Sequence, residues 1–279
     1  MLRTLCTSLL ALATLTGYAW NAMGHKLVAQ IAYDNLTPEA KALCKRYGSA
    51  ATISKSKSGF VKASTWMDVI RRKDIHWYDN LHYIDTPFTT DDVPLPPLQK
   101  INAVWGIKQA LIVLSSSKSN DMDKGMSLRI LTHLVGDIHQ PLHTVTRISK
   151  ELPKGDLGGN LFHLAKNPIG SNLHQYWDNG GGVLIGPSKK FQVENKARHL
   201  EKKWSCATVN TESRPGDWVK AANRIAISQV YTLSPQQIPS KHYQLNAQNI
   251  TEKQILLAGC RLAALINTIE KQTKENILA

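Results

Sequence analysis

Residues 128–143, LRILTHLVGDIHQPLH, decide the fold class of this chain. Apolar residues fall on nearly every side of the helix that this stretch predicts, which indicates a helix buried in the core. His133 and Asp137 are four residues apart, so their side chains lie one turn apart on the same face. Burying an imidazole beside a carboxylate is unfavourable unless the two are hydrogen-bonded or bind a metal. Pro141 breaks the helix, and His143 follows just past the break.

Outward from this stretch, helical spacing of apolar residues dominates and strand-like alternation is nearly absent. Thr37 and Pro38 predict a helix start, and Gly48 is expected to end that helix. Two irregular stretches, 84–98 and 144–188, are long enough to be functional loops. Further helices are predicted at 101–117, 126–140, 217–232 and 250–270. We therefore expect a single all-α domain with two elaborate loops.

The combination of histidine with aspartate recurs along the chain. The segment NLHQYWD holds His174 and Asp178 at the same spacing of four residues, while Asp68 lies in STWMDVIR and His82 in LHYIDTP. A single pair is most simply a hydrogen bond in the core. Imidazole with carboxylate is also the ligand set of zinc sites, and several half-sites together predict more than one ion.

Residues 1–19 have the parts of a secretory signal peptide. Arg3 supplies the positive start, and residues 9–15 lie in an apolar run that is too short to span a membrane. Because of that length, an uncleaved membrane anchor is the less favoured alternative. Cleavage after Ala19 is expected to leave a mature domain, 20–279, that is secreted or periplasmic and has no stable membrane insertion.

The predicted cleavage makes Trp20 the first residue of the mature chain. A free α-amino group has a pKa of about 7.7–8.0 and becomes a nitrogen ligand once it is deprotonated. With its own carbonyl oxygen, Trp20 can chelate a metal in a five-membered ring, and His25 can supply the next ligand. Removal of the signal peptide is therefore expected to create a metal ligand.

The chain carries a formal net charge of +13, with basic clusters at 71–73, 189–190 and 202–203. This charge indicates either a solvated, soluble surface or one that attracts polyanions such as nucleic acid or anionic lipid, and charge alone does not separate those two targets. Cys44, Cys206 and Cys260 would remain after loss of the signal peptide and allow one disulfide and one free thiol. Their spacing leaves the pairing open.

Taken together, these segments resemble the secreted trinuclear-zinc nucleases of the S1/P1 type, which share their fold with bacterial zinc-dependent phospholipase C. The resemblance covers nearly the whole mature chain. Its most specific parts are the N-terminal WNAMGH, then HLVGDIHQPLH, then NLHQYWDN, whereas DLGGN alone is weak. It implies a mostly helical domain of the phospholipase C/P1 nuclease type, with irregular loops around a zinc cluster.

The resemblance also implies three zinc ions per chain, bound by nine residues. The first ion would be bound by Asp68, His82, His133 and Asp137. The second, close to the first, would be bound by Trp20, His25 and a bridging Asp137. The third would be bound by His143, His174 and Asp178. His139 matches no ligand position and is expected to be structural.

Catalytic and substrate-binding roles follow from the same resemblance. Asp68 would orient a hydroxide bridged by the close zinc pair, and Arg71 would neutralise charge on the phosphoryl oxygens. Tyr83 occupies the position of an aromatic that stacks on a base, with a core aromatic as the alternative interpretation. Asp85 would accept hydrogen bonds from the base edge, and Asn179 would line the base or phosphate pocket.

The activity implied is a zinc-dependent endonuclease that cuts single-stranded DNA and RNA to 5′-phosphate products, with 3′-nucleotides as further substrates, acting as a monomer. A phospholipase C of the same fold is the alternative enzyme. A zinc- or nucleic-acid-binding protein without turnover is the alternative from another class. Asp68 with Arg71 disfavours metal storage, because storage has no use for a cation beside the metal.

Overall fold

The computed structural model describes residues 20–51, 59–209, 211 and 214–278. The predicted signal peptide and its cleavage point after Ala19 lie outside the described residues. The helices are α1 (Ala22–Asp34), α2 (Pro38–Ala50), α3 (Phe60–Ala63), α4 (Trp66–Arg71), α5 (Ala103–Ser115), α6 (Asp121–Asp137), α7 (Leu173–Asp178), α8 (Lys190–Lys203), α9 (Pro215–Ile225) and α10 (Lys241–Leu278). The expected all-α class is confirmed.

The first helices start where their capping residues predict. The Thr37 hydroxyl accepts a hydrogen bond from the amide of Ala40, which begins α2 as expected. The prediction that Gly48 ends α2 was wrong, because the amide of Ala51 still bonds the carbonyl of Tyr47 at 3.1 Å. Gly48 does not take a left-handed backbone, and this is the feature that lets glycine stop a helix.

The irregular stretches contain more regular structure than expected. Strands β1 (Thr86–Thr89) and β2 (Val145–Ile148) pair in parallel, with Thr86 opposite Val145. The short helix α7 lies inside the stretch 144–188. Elements of four to six residues are too short to show a periodic pattern, so hydrophobic spacing could not indicate them.

Helix α6 lies at the centre of the fold, in contact with α1, α2, α4, α5 and α10. Its residues are buried on every side from Leu128 onward, apart from a half-exposed Ile130. This confirms that the apolar pattern of the segment reflects burial all round. The C-terminal end of α6 carries His133 and Asp137 into the interior, where both side chains are 0% exposed.

Helix α10 packs closely against α1. A Cβ placed on Gly259 would lie 2.6 Å from Cβ of Ile31, so only glycine permits this approach. The adjacent Cys260 forms the disulfide with Cys206, while Cys44 is free and buried. The pairing that the spacing left open is therefore settled. Within the described ranges, no helix has both the length and the apolar character needed to cross a bilayer.

Candidate metal centre and its cleft

Several helices and turns bring histidines and aspartates together in the interior. Three groups of potential ligand atoms result, and the atoms of each group lie within 4.8 Å of one another. The groups are His25, His133 and Asp137; Asp68, His82 and His133; and His143, His174 and Asp178. Because His133 belongs to the first two groups, these form one continuous cluster.

Asp137 lies in the middle of that cluster. Its carboxylate oxygens are 3.4 Å from Nε2 of His25, 3.2 Å from Nδ1 of His82 and 3.4 Å from Nε2 of His133. Neither oxygen accepts a hydrogen bond within the described part of the chain. Burial raises the pKa of Asp137 well above its ordinary value. A buried carboxylate surrounded in this way fits a bound cation better than an ordinary core hydrogen bond.

Backbone carbonyls orient three of the histidines. Nδ1 of His133 lies 2.7 Å from the carbonyl of Ser64, and Nδ1 of His143 lies 2.7 Å from the carbonyl of His82. Nδ1 of His174 lies 2.8 Å from the carbonyl of Gly158. A carbonyl only accepts, so each Nδ1 carries the proton and leaves a lone pair on Nε2. This is the usual arrangement of histidines that bind metals, so the donor set fits metal ions.

His25 is fully buried on α1 and stacks on His133, with ring centroids 3.9 Å apart. Neither of its ring nitrogens has a hydrogen-bond partner among the described residues. Burial, then the nearby histidine charges, lowers the pKa of His25 well below its usual value, and burial lowers the pKa of His82 to about 4. Both imidazoles are therefore neutral and able to donate lone pairs.

The third group is held by α7 and by a short 3₁₀ helix that contains His143. His174 and Asp178 lie one turn apart on α7, with Nε2 and Oδ2 3.4 Å apart. The side-chain Nε2 of Gln140 donates to Oδ1 of Asp178 at 2.7 Å and fixes that carboxylate. Gln140 was not predicted, although it lies between two predicted ligands in HLVGDIHQPLH.

Trp20 is 0% exposed, and the next residue caps α1, since Oδ1 of Asn21 accepts from the amides of Met23 and Gly24. The amide of Asn21 also donates to the carbonyl of Asp178 at 3.2 Å. The backbone at Trp20 is thereby held beside the third group.

A cleft opens beside the third group and reaches three of the predicted catalytic and substrate-binding residues. It is lined by Arg71, His82, Tyr83, Asp85, Leu142, His143, Leu157, Asn160 and His174. Tyr83 is half-buried here, and its hydroxyl donates to Asn80 at 3.1 Å. Leu157 and Asn160 were not predicted, but both lie in the DLGGN segment, whose left-handed backbone at Leu157 and its glycines makes a sharp turn.

Two predicted residues differ in how the structure places them. Nε of Arg71 lies 3.4 Å from Oδ1 of Asp79 at the cleft wall. Asn179 does not line the cleft: its carboxamide accepts from Asn21 at 2.9 Å and donates to the carbonyl of Ile169 at 2.8 Å. A substrate contact of Asn179 stays a prediction, because one of its polar atoms bonds Asn21 and the other bonds the carbonyl of Ile169.

The S1/P1 nuclease family model matches residues 20–271. The chain belongs to the S1/P1 nuclease family. Endonuclease 4 of Arabidopsis thaliana is 26% identical over 90% of this chain and 89% of its own length. Nuclease P1 of Penicillium citrinum is 27% identical over 73% of each chain. Nuclease S1 of Aspergillus oryzae is 24% identical over 94% of this chain and 96% of its own length.

The match to the S1/P1 family contains all nine candidate ligands and the whole cleft. Within this S1/P1 chain, Asp85 lines the cleft outside the metal groups, and its pKa lies far above the ordinary value of 3.8. Burial, then the charge of Asp156, raises its pKa to about 7. A carboxyl with that pKa donates or accepts hydrogen bonds according to the pH.

His139, which matches no ligand position, has a structural role. It is fully buried, its Nδ1 donates to the carbonyl of Val135 at 2.7 Å, and its Nε2 lies 2.7 Å from the guanidinium of Arg261. Both ring nitrogens are therefore engaged away from the three metal groups.

Proposed function

We propose that the protein is an exported zinc-dependent endonuclease that hydrolyses phosphodiester bonds of single-stranded DNA and RNA and leaves 5′-phosphates. The observation that carries this proposal is the cluster around Asp137. Its buried ligand atoms, several of them without a hydrogen-bond partner among the described residues, adjoin a cleft with a cation and an aromatic ring. Membership of the S1/P1 family supports it. In the proposed mature form, residues 20–279 act as a monomer and also accept 3′-nucleotides.

The nine residues are proposed to hold three zinc ions in the grouping expected from the family. Asp68, His82, His133 and Asp137 bind the first, Trp20, His25 and Asp137 the second, and His143, His174 and Asp178 the third. Bound zinc lowers the pKa of water and stabilises negative charge on phosphoryl oxygens. The amino nitrogen of Trp20 becomes a ligand only after cleavage following Ala19.

The chain's own residues position the phosphodiester. Asp68 is 5% exposed, and its Oδ1 has no hydrogen-bond partner among the described residues. It can therefore accept a hydrogen bond from the attacking nucleophile and orient it. Arg71 faces the cleft and neutralises charge that builds up on the phosphoryl oxygens. Its pairing with Asp79 holds the guanidinium in that position.

Substrate choice is proposed to depend on the other residues that line the cleft. Tyr83 offers a ring face to a base, and Asp85 and Asn160 offer polar groups to its edge. Stacking on a side chain requires an unpaired base, so duplex DNA has to be opened first. Single strands are therefore the preferred substrates.

The proposal is tested by zinc analysis of the processed protein and by rates on single-stranded DNA, RNA, duplex DNA and phosphatidylcholine under one set of conditions. We expect about three zinc ions per chain, rapid cleavage of single strands, slower cleavage of the duplex, and loss of activity with a chelator. Tyr83→Ala should weaken nucleotide cleavage and spare a small non-nucleoside phosphodiester.

Two results would overturn the proposal. Rapid hydrolysis of phosphatidylcholine without cleavage of single-stranded DNA would identify a phospholipase C. Binding of zinc and of nucleic acid without turnover of any substrate would identify a binding protein.

A further inference from the structure

The segment 72–77 forms an exposed rim directly after Arg71, and the proposed reaction makes no use of it. Trp77 is 72% exposed and Ile75 is 40% exposed. A tryptophan with so much of its surface in water is unusual, since its large apolar area gains free energy when it is covered. We call Arg72, Lys73, Ile75 and Trp77 the rim platform.

Side-chain contacts connect the segment that carries the rim platform to the cleft residue Arg71. His76 bridges two carboxylates, with Nε2 2.9 Å from Asp74 and Nδ1 3.0 Å from Asp79. Asp79 in turn pairs with Arg71, which lines the cleft. This chain of contacts joins the loop that carries Trp77 to Arg71 at the cleft wall.

The backbone of the rim is also closed on itself. The amide of Ile75 donates to the carbonyl of Ile70 at 3.2 Å. The amide of Asp74 donates to the carbonyl of Arg71 at 3.1 Å. The ring of Trp77 lies against that of Tyr78, with centroids 3.3 Å apart. The exposed ring is therefore supported on one side and open on the other.

Two cations accompany the ring. Arg72 and Lys73 are exposed and form no ion pair with another described residue, whereas the carboxylates of Asp74 and Asp79 are already engaged by His76 and Arg71. A flat aromatic surface with adjacent cations is the chemistry that binds single-stranded nucleic acid, through base stacking and phosphate contacts. Because the platform directly follows Arg71, which lines the cleft, it suits nucleotides that flank the one in the cleft.

We propose that the rim platform binds unpaired nucleotides of the substrate beyond the one at the cleft, with Trp77 stacking on a base and Arg72 and Lys73 contacting phosphates. This inference rests on the proposed nuclease function. Its consequence is that longer single strands are cleaved more efficiently than short ones. Anionic lipid is the other polyanion with which an exposed tryptophan and two cations could interact, and the test separates it.

The test compares kcat/KM on thymidine dinucleotide, a tetranucleotide and a dodecanucleotide. For the unaltered protein we expect kcat/KM to rise with length. For Trp77→Ala we expect kcat/KM on the dodecanucleotide to be roughly 5- to 100-fold lower, because KM is higher. Trp77→Phe should keep most of the rise because it keeps a ring. Phe191→Ala is the matched control, since Phe191 is 69% exposed on α8 and does not line the cleft.

The binding of phosphates by the two cations is tested with the double variant Arg72→Ala, Lys73→Ala. The slope of log kcat/KM against log salt concentration on the dodecanucleotide should become shallower by about 0.7 for each phosphate that the variant no longer neutralises. Lys189→Ala, Lys190→Ala is the control, because it removes the same charge from another exposed pair.

Equal length dependence in Trp77→Ala and in the unaltered protein would overturn the inference while the nuclease proposal stands. So would a loss in Trp77→Ala confined to binding of anionic vesicles. Failure of the unaltered protein to cleave even the dinucleotide and the dodecanucleotide would instead refute the nuclease proposal, and with it this inference.

Discussion

At the scale of single residues, the metal centre depends on one carboxylate that faces three imidazoles. Asp137 and His133 could be predicted from sequence, because a polar pair one turn apart is conspicuous in an apolar helix. Gln140 and Asn160 could not be predicted, because side-chain amides do not recur at a spacing in the sequence that indicates a site. Their role is shown only by the group that each one faces in the structure. Gln140 faces Asp178, and Asn160 faces the cleft.

The substitution Asp137→Asn should remove most of the bound zinc. An amide carries no charge to balance the ions and leaves the buried imidazoles without their shared partner, so activity should fall by more than about 100-fold. Elemental analysis and initial rates measure the two effects. Asp123→Asn is the control on the same helix, because Asp123 is exposed. Unchanged zinc content in Asp137→Asn would contradict the assignment.

Asp85 gives the cleft a pH-dependent contribution to stability. Its pKa rises from 3.8 to about 7 on folding, so between about pH 4 and 7 the folded chain holds more protons than the unfolded chain. The contribution of this carboxyl to stability is therefore present at low pH and lost as the pH rises toward 7. In melting temperatures measured from pH 5 to 7.5, the stability of Asp85→Asn relative to the unaltered protein should increase as the pH rises. A constant difference would refute the shift.

At the scale of elements, helices α2, α5, α6, α9 and α10 follow from sequence, whereas α1, α8 and the short pieces were not predicted. Helix α6 was predicted from its apolar pattern, although it starts at Asp121 and not at residue 126, because Asn120 caps it by accepting from the amide of Asp123. Strands β1 and β2 depend on each other for their hydrogen bonds. Such pairing is a tertiary property that neither four-residue sequence carries alone.

The surroundings of two glycines, Gly259 at the contact between α10 and α1 and Gly48 in α2, lead to opposite predictions. Gly259→Ala places a methyl group against Ile31, so it should lower the free energy of unfolding by about 1–3 kcal/mol. Gly48→Ala meets nothing within 4 Å and lies inside α2, so it should raise that free energy by about 0.5–1 kcal/mol. Urea denaturation measures both. The same sign for both would contradict the packing described.

At the scale of the whole molecule, the beginning of α1 and the helix α10 are each joined to distant parts of the chain. Asn21 bonds the carbonyl of Asp178, and the disulfide of Cys260 ties α10 to the segment after α8. Sequence indicated that the start matters, because a tryptophan follows the predicted cleavage point. It allowed one disulfide but did not indicate which two cysteines form it, because a cysteine's partner depends on which elements pack together.

A chain with one extra residue before Trp20 should be impaired. Its nitrogen at that point is an amide and cannot serve as a ligand, so zinc content should fall from about three to about two per chain and activity by at least about tenfold. Native mass spectrometry and initial rates test this, with an added C-terminal residue as the control. Equal zinc content and turnover in both forms would refute the role of the N-terminus.

His82 connects the two parts of the metal centre. Its ring faces Asp137 at 3.2 Å, while its carbonyl accepts the proton of His143 at 2.7 Å. An ion that fixes the ring of His82 therefore also fixes the peptide that aligns a ligand of the third group. Uptake of successive zinc ions should be cooperative: a titration followed by calorimetry should be sigmoidal, and the partly loaded forms should be scarce at every ratio of metal to protein.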